Sequence, residues 1–71
     1  MEWLYDTSAS CHMTEHFEIL ENVKKIDPIT VGLPDGNEAA ANKIGNVRLG
    51  PKMVLQGVLF VPKLKCNLIS I

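Results

Sequence analysis

The stretch Met53-Val54-Leu55-Gln56-Gly57-Val58-Leu59-Phe60-Val61 is the longest strand-like run in this chain of 71 residues. Its last four residues are apolar at every position, and a strand that is apolar on both faces belongs in the interior of a sheet. Turn-forming residues enclose the run, with Gly50-Pro51 before it and Pro62 after it. We therefore expect a central β-strand here.

Outside this run, turn residues recur at short and even intervals along the chain, as in proteins built from short strands. The segments between the turns are β-branched or alternate between apolar and polar residues. The sequence therefore predicts an all-β fold, a small, closed, largely antiparallel β-barrel in a single domain spanning residues 1–71. The other predicted strands are Trp3 to Tyr5, Ile29 to Leu33, Val47 to Leu49 and Asn67 to Ile71.

A hairpin is predicted at Pro34-Asp35-Gly36-Asn37, between two strand-like segments. Glycine can adopt the positive φ that tight hairpin turns require, and Asp-Gly is a strong signal for them. The run Ala39 to Ala41 has helical propensity but is too short to form a helix between this turn and Gly45-Asn46. We expect it to be a weak strand or the returning arm of the hairpin.

The segment at about residues 15–25 does not alternate as a strand should. Apolar residues recur there about every three positions, with acids near the front and Lys24-Lys25 at the rear, which suits the dipole of a short helix or helical turn. An irregular loop with a few inward apolar anchors explains the same pattern. The apolar positions are Phe17, Leu20, Val23 and Ile26.

The bulk properties of the chain exclude several classes of function. Seven Lys/Arg against eight Asp/Glu give almost no net charge, so nucleic-acid binding by this segment is not expected. No apolar run approaches the roughly 20 residues that a membrane span needs, and Glu2 and Asp6 are unsuited to a secretion signal. A domain of this size hides only about 60% of its unfolded surface, so dimerisation is a sensible source of extra burial.

Asp6-Thr7-Ser8-Ala9-Ser10 nearly matches the motif that aspartic proteases use to activate water, Asp-Thr/Ser-Gly-Ala/Ser, with serine in place of glycine. Around it, four ordered blocks resemble the protease region of copia-type retrotransposon Gag-Pol polyproteins over almost the whole chain. The first block matches the family pattern at Trp3, Asp6, Thr7, Ala9, Ser10, His12 and Met13. The other blocks are Val31 to Gly36, Ile44 to Val47 and Val58 to Ser70.

The resemblance implies a β-barrel of the retroviral aspartic-protease type that hydrolyses peptide bonds of its own polyprotein. Such catalysis uses two carboxylates held about 3 Å apart, which cannot both ionise and therefore share one proton. Only Asp6 lies in the motif, because Asp27 and Asp35 occupy turn contexts. The second carboxylate would come from the twin chain of a homodimer. This chemistry needs no metal or other cofactor, and none is expected.

The resemblance also assigns roles to the neighbours of Asp6. Thr7 would tie the two active-site loops together across the dimer, while Ser8 and Ala9 would set the backbone that presents the catalytic acid. We predict Asp6, Thr7 and Ser8 as catalytic residues and Ala9 as a substrate contact. The hairpin tip would close over the peptide substrate as a flap. The substrate-binding residues predicted in this flap are Leu33, Pro34, Asp35 and Gly36.

Two alternatives remain open at this stage. Thr7, Ser8 and Ser10 have the composition of ordinary turn residues whose hydroxyls bond nearby amides. Serine also costs about 1–2 kcal/mol more than glycine in the left-handed backbone region, so Ser8 could distort the loop that holds Asp6. The domain would then be a catalytically inactive β-barrel module with a structural task in a retroelement polyprotein.

The histidines and cysteines carry no separate assignment. Cys11, His12, His16 and Cys66 include zinc-ligand types, but Cys11 and His12 are adjacent and would point to opposite faces of a strand. Cys11 and Cys66 are expected to be two reduced thiols rather than a disulfide. His12 is expected to be structural, since nothing in the spacing supplies the orienting carboxylate that a histidine base for a serine nucleophile would need.

The resemblance further implies that relatives carry on beyond the last block, so we expect residue 71 to be a cut point and Asn67 to Ile71 to form an incompletely covered edge strand. The location expected is intracellular, in the cytoplasm or in a virus-like particle.

Overall fold

The computed structural model describes residues 3–6, 11–33, 36–64 and 67–70. Among these residues the chain is almost entirely β-strand, with one short 3-10 turn at Phe17–Ile19, which confirms the all-β prediction. The strands are β1 (Trp3–Asp6), β2 (His12–Thr14), β3 (Leu20–Gly32), β4 (Glu38–Gly50), β5 (Met53–Phe60) and β6 (Asn67–Ser70).

The six strands form one sheet in the order β1-β6-β2-β5-β4-β3. Strand β5 lies in its interior between β2 and β4, as its apolar run predicts. Val58 and Leu59 are both buried, so this strand is covered on both faces at its carboxyl end. The ladder does not close across the described residues, where β1 and β3 are the two edges. The prediction of a closed barrel is wrong in that respect.

The hairpin predicted after β3 is present and joins β3 to β4. The Leu33 amide donates to the Asn37 carbonyl at 2.7 Å, and the Gly36 amide donates to the Leu33 carbonyl at 3.0 Å. Gly36 has a φ of +90°, a conformation that glycine adopts without steric cost. The returning strand begins at Glu38, so Ala39 to Ala41 are strand residues rather than helical ones.

Of the short helix or helical turn considered for residues 15–25, only a 3-10 turn at Phe17–Ile19 is present. Strand β3 begins at Leu20, and its half-buried apolar residues Leu20, Val23 and Ile26 are separated by exposed pairs. Its register against β4 shifts between Glu21 and Lys24 and again between Lys25 and Ile29. Bulges add residues to one strand and stretch its alternation from two to three positions. The bulged strand therefore imitates helical periodicity, and Asn22 adopts a φ of +54° within it.

Two strand partnerships depart from the antiparallel prediction. Strand β1 runs parallel to β6, with Asp6 opposite Ser70, and β2 runs parallel to β5. The two long hairpin pairings, β3 with β4 and β4 with β5, are antiparallel as expected. Turn residues identify neighbours joined by hairpins, but they carry no information about partners that are distant in sequence.

The last strand is not an edge. Strand β6 pairs with β1 on one side and with β2 on the other, so the prediction that Asn67 to Ile71 would form an incompletely covered edge is wrong. Leu68 is fully enclosed, as the apolar character of this block requires. Ile71 lies outside the described residues.

The hydrophobic core gathers side chains from both ends of the sheet. Residues of the hairpin arms, Val31 and Ala41, join the cluster formed by β2, β5, β6 and the segment that follows β5. The sheet therefore curls so that the hairpin side approaches the β6 side across a common core. The remaining buried members of this cluster are Met13, Leu59, Val61, Leu64 and Leu68.

Candidate functional site

Asp6 is the last residue of β1 and lies opposite Ser70 in the parallel ladder with β6. The backbone of the motif aspartate is thus placed at the carboxyl end of a short strand. Its side chain is not among those described, and Thr7, Ser8 and Ala9 lie outside the described residues. The predicted roles of these four residues stay predictions.

Strand β1 is held by a single neighbour among the described residues. It pairs with β6 and stands at the edge of the sheet. Leu4 is 49% exposed and Tyr5 is 71% exposed, so the middle of this strand contributes little burial. The placement of Asp6 therefore depends on the placement of β6.

A set of polar contacts, here called the β2–β6 clasp, fixes β6 against β2. It consists of His12, Thr14, Asn67 and Ser70 and flanks the backbone pairing of Met13 with Leu68. The Thr14 hydroxyl donates to Asn67 Oδ1 at 2.6 Å. At the other end, the Ser70 amide donates to His12 Nδ1 at 3.0 Å. The clasp joins segments more than 50 positions apart in sequence.

Thr14 serves two partners at once from a fully buried position. Besides donating to Asn67, its Oγ1 accepts the His16 amide at 3.1 Å. Thr14 and Asn67 are 0% and 2% exposed, so water cannot replace a lost partner. In the sequence, Asn67 stands beside the apolar pair Leu68-Ile69, but nothing around Thr14 marks it as a buried residue. Neither residue has a predicted role.

Replacing Thr14 by valine keeps the shape of the side chain and removes its hydroxyl. We expect the free energy of unfolding to fall by about 1–3 kcal/mol, because the buried Asn67 Oδ1 loses this donor and the His16 amide loses its acceptor. Thr14→Ser should recover most of the difference. Thr30→Val, at an exposed strand position, is the matched control. Urea denaturation that finds Thr14→Val as stable as Thr30→Val would contradict the clasp.

The predicted flap has a well-defined base. Leu33 is half-buried and packs against the core cluster, and Gly36 is exposed in the turn. Pro34 and Asp35 lie outside the described residues. Cys11, the first described residue after the motif, packs against the same cluster. The core thus brings together the base of the hairpin and the residue that follows the motif in sequence.

Ion pairs form among the described residues near the start of β3. His16 approaches Glu15 and Glu18 at 3.5 and 3.3 Å, and Arg48 approaches Glu21 at 3.6 Å. In the described part of the chain no three His, Cys, Asp or Glu side chains gather as metal ligands would. Cys66, a member of the zinc set considered above, lies outside that part. No membrane-spanning helix occurs there either.

An open groove of about 620 Å³ crosses the bulged region of β3, β4 and β5. Its polar lining includes Asn22, Lys24, Asn46 and Gln56. The two predicted substrate-binding residues that the structure describes, Leu33 and Gly36, do not line this groove. Its shape follows from the bulges, which sequence patterning did not reveal.

Comparison with known proteins gives one match. The model of the family described as "Pol polyprotein, beta-barrel domain" matches residues 3–71. Neither the search of curated proteins nor the search of solved structures returned a match. The matched range includes β1 with Asp6, the hairpin, and all the strands that build the core. The chain therefore belongs to the family of Pol polyprotein β-barrel domains, and it is such a domain of a retroelement polyprotein.

Proposed function

We propose that this domain is the aspartic endopeptidase of a copia-type polyprotein, active as a homodimer in which Asp6 of each protomer supplies one carboxylate. The observation that carries the proposal is the position of the motif aspartate, at the carboxyl end of β1 opposite Ser70. Strand β1 ends at this residue and lies at an edge of the described sheet, where a second molecule can approach it. The family match supports the polyprotein setting.

The two carboxylates have different roles in catalysis because they share one proton. The ionised carboxylate takes a proton from the attacking water, and the protonated one donates to the carbonyl oxygen of the scissile peptide bond. Their titration belongs to the pair, since the charge on one carboxylate opposes ionisation of the other. A single chain contains one motif aspartate, so the pair requires two chains.

The exposure of β1 supports a dimer centred near this strand. Leu4 and Tyr5 are apolar or aromatic side chains left in solvent at the sheet edge. Such side chains are suited to burial against a partner. A two-fold axis beside the carboxyl end of β1 would bring the two Asp6 residues together and cover these side chains at the same time.

The substrate in this proposal is an extended segment of the polyprotein. Leu33 and Gly36 belong to the hairpin, and we propose that the tip at residues 33–37 folds over the peptide and excludes water from the two carboxylates. Ala9, the fourth residue of the motif, would contact the peptide backbone. Specificity pockets would then combine side chains from both protomers.

The test is cleavage of a polyprotein fragment that carries this domain with its flanking sequence. Products that appear with the wild-type domain and disappear with Asp6→Asn would support the dyad. Equal cleavage by the two forms would eliminate it. The expected size of this effect and its control are argued in the Discussion.

Ser8 favours a second candidate, an inactive β-barrel module that acts structurally in the polyprotein. Glycine suits positions where backbone approaches backbone, and a loop displaced by about 1 Å can cost on the order of 100-fold in rate. Under the proposed function we expect Ser8→Gly to raise the cleavage rate, by up to about 100-fold. Cleavage of the fragment by the wild type, Ser8→Gly and Asp6→Asn distinguishes the protease from the structural module. Absence of cleavage in all three favours the structural module.

A further inference from the structure

His12 supplies a hydrogen-bond acceptor at the point where β2 begins. The antiparallel register places Met13 opposite Leu68. Continued by two residues, it would place Cys11 opposite Ser70, but β2 begins at His12. The Ser70 amide donates instead to Nδ1 of His12, at 3.0 Å. The imidazole therefore continues the attachment of β6 to β2 beyond the end of the backbone ladder.

The other side of Ser70 faces the motif strand. Ser70 is the register partner of Asp6 in the parallel pairing of β6 with β1. Strand β1 has no second partner strand among the described residues, so its carboxyl end follows β6. His12 itself is anchored in the sheet opposite the buried Val58 of β5. A continuous path of contacts thus runs from the sheet interior through His12 and Ser70 to the backbone of Asp6.

We propose that His12 is a positioning residue for Asp6, acting through the Ser70 amide at the end of β6. This inference rests on the proposed function for its catalytic meaning. The bond requires a lone pair on Nδ1, so the neutral ring carries its hydrogen on Nε2. A side chain with a hydrogen-bond acceptor at the position of Nδ1 keeps the bond to the Ser70 amide. A side chain whose acceptor lies farther from the backbone loses this bond.

Two isosteric substitutions separate these cases. Asparagine in His12→Asn places Oδ1 about where Nδ1 lies, whereas glutamine in His12→Gln carries its polar atoms farther out, near the position of Nε2. Both variants are polar and similar in size, so loss of bulk affects them in the same direction. The comparison therefore isolates the acceptor position from a general effect of replacing histidine.

The first readout is backbone amide hydrogen exchange in the chain, which needs no activity. In His12→Gln we expect the Ser70 amide and the amides of β1 to exchange about tenfold faster, the scale of one lost hydrogen bond, with β3 and β4 unchanged. His12→Asn should stay near wild type. Unchanged exchange at Ser70 in His12→Gln would overturn the proposal. So would an increase spread equally over β3 and β4, which marks general destabilisation.

The second readout is cleavage of the polyprotein fragment, with kcat and KM measured separately. We expect kcat to fall about tenfold or more in His12→Gln with little change in KM, and His12→Asn to retain most of kcat. An unchanged kcat in His12→Gln would overturn the catalytic part of the proposal. Failure of the proposed function is recognised separately, because Asp6→Asn and the wild type would then give the same result, with cleavage by both or by neither. The exchange data would still decide whether His12 holds β1.

Discussion

Replacing Asp6 with asparagine is expected to lower peptide cleavage by this domain by at least about 10²- to 10⁴-fold, the range that general acid and base groups contribute. Asparagine has nearly the same size as aspartate but can neither take a proton from water nor share one with its twin. The variant should fold as the wild type does, since Asp6 ends a strand whose pairing with β6 involves the backbone. The measurement is the rate of product formation from the polyprotein fragment, with the fold checked by circular dichroism.

Asp27→Asn is the matched control for this experiment. The substitution replaces an aspartate by an asparagine, as at Asp6, but at an exposed position in β3, before Pro28. We expect its cleavage rate and stability to equal those of the wild type. A comparable loss of activity in Asp27→Asn would show that the effect at Asp6 does not arise from the dyad.

The dyad also ties activity to protein concentration. If each chain supplies one carboxylate, the rate per chain should rise with concentration until the dimer saturates. Sedimentation of the same samples should show the dimer over the same range. A rate per chain that does not change from a monomeric to a dimeric sample would contradict the shared site.

Replacing Leu59 with alanine is expected to unfold most of the protein. Leu59 is 1% exposed and lies in the interior strand, opposite Met13 of β2 and Ile44 of β4. Removing a buried leucine to alanine costs about 2–5 kcal/mol, through the lost transfer energy and the cavity left behind. Cores of domains this small supply only about 3–5 kcal/mol, so the loss is similar to the whole stability. Thermal unfolding by circular dichroism at fixed protein concentration measures the effect.

Met53→Ala is the control for the core substitution. Met53 begins the same strand but is 60% exposed. Its replacement should change the free energy of unfolding by no more than about 0.5 kcal/mol. If Leu59→Ala melted at the temperature of Met53→Ala, the interior position assigned to β5 would be wrong.

Local patterns in the sequence were sufficient for a large part of the fold. Alternation and turn residues predicted strands at both ends of the chain, and Asp35-Gly36 predicted the hairpin between β3 and β4. The all-apolar run from Val58 to Val61 predicted an interior strand. These signals are reliable because side-chain alternation and turn conformation depend on a few neighbouring residues.

The segment after Phe17 shows where local patterns mislead. Half-buried residues three positions apart, such as Val23 and Ile26, arise equally from a helical face and from a bulged strand. Pairing with β4 decides between the two, and that pairing is a tertiary contact. The same reason explains the error at β6, which acquires neighbours on both sides from strands near the start of the chain.

The sequence by itself determined the all-β class, the hairpin and the identity of the motif aspartate, since each depends on residues that are adjacent or nearly so. Only the tertiary structure decided that β1 runs parallel to β6 and that Ser70 lies opposite Asp6. It alone joined His12 to Ser70 and Thr14 to Asn67. The physical reason is chain separation: these partners are more than 50 positions apart, and packing of the common core rather than any local pattern brings them into register.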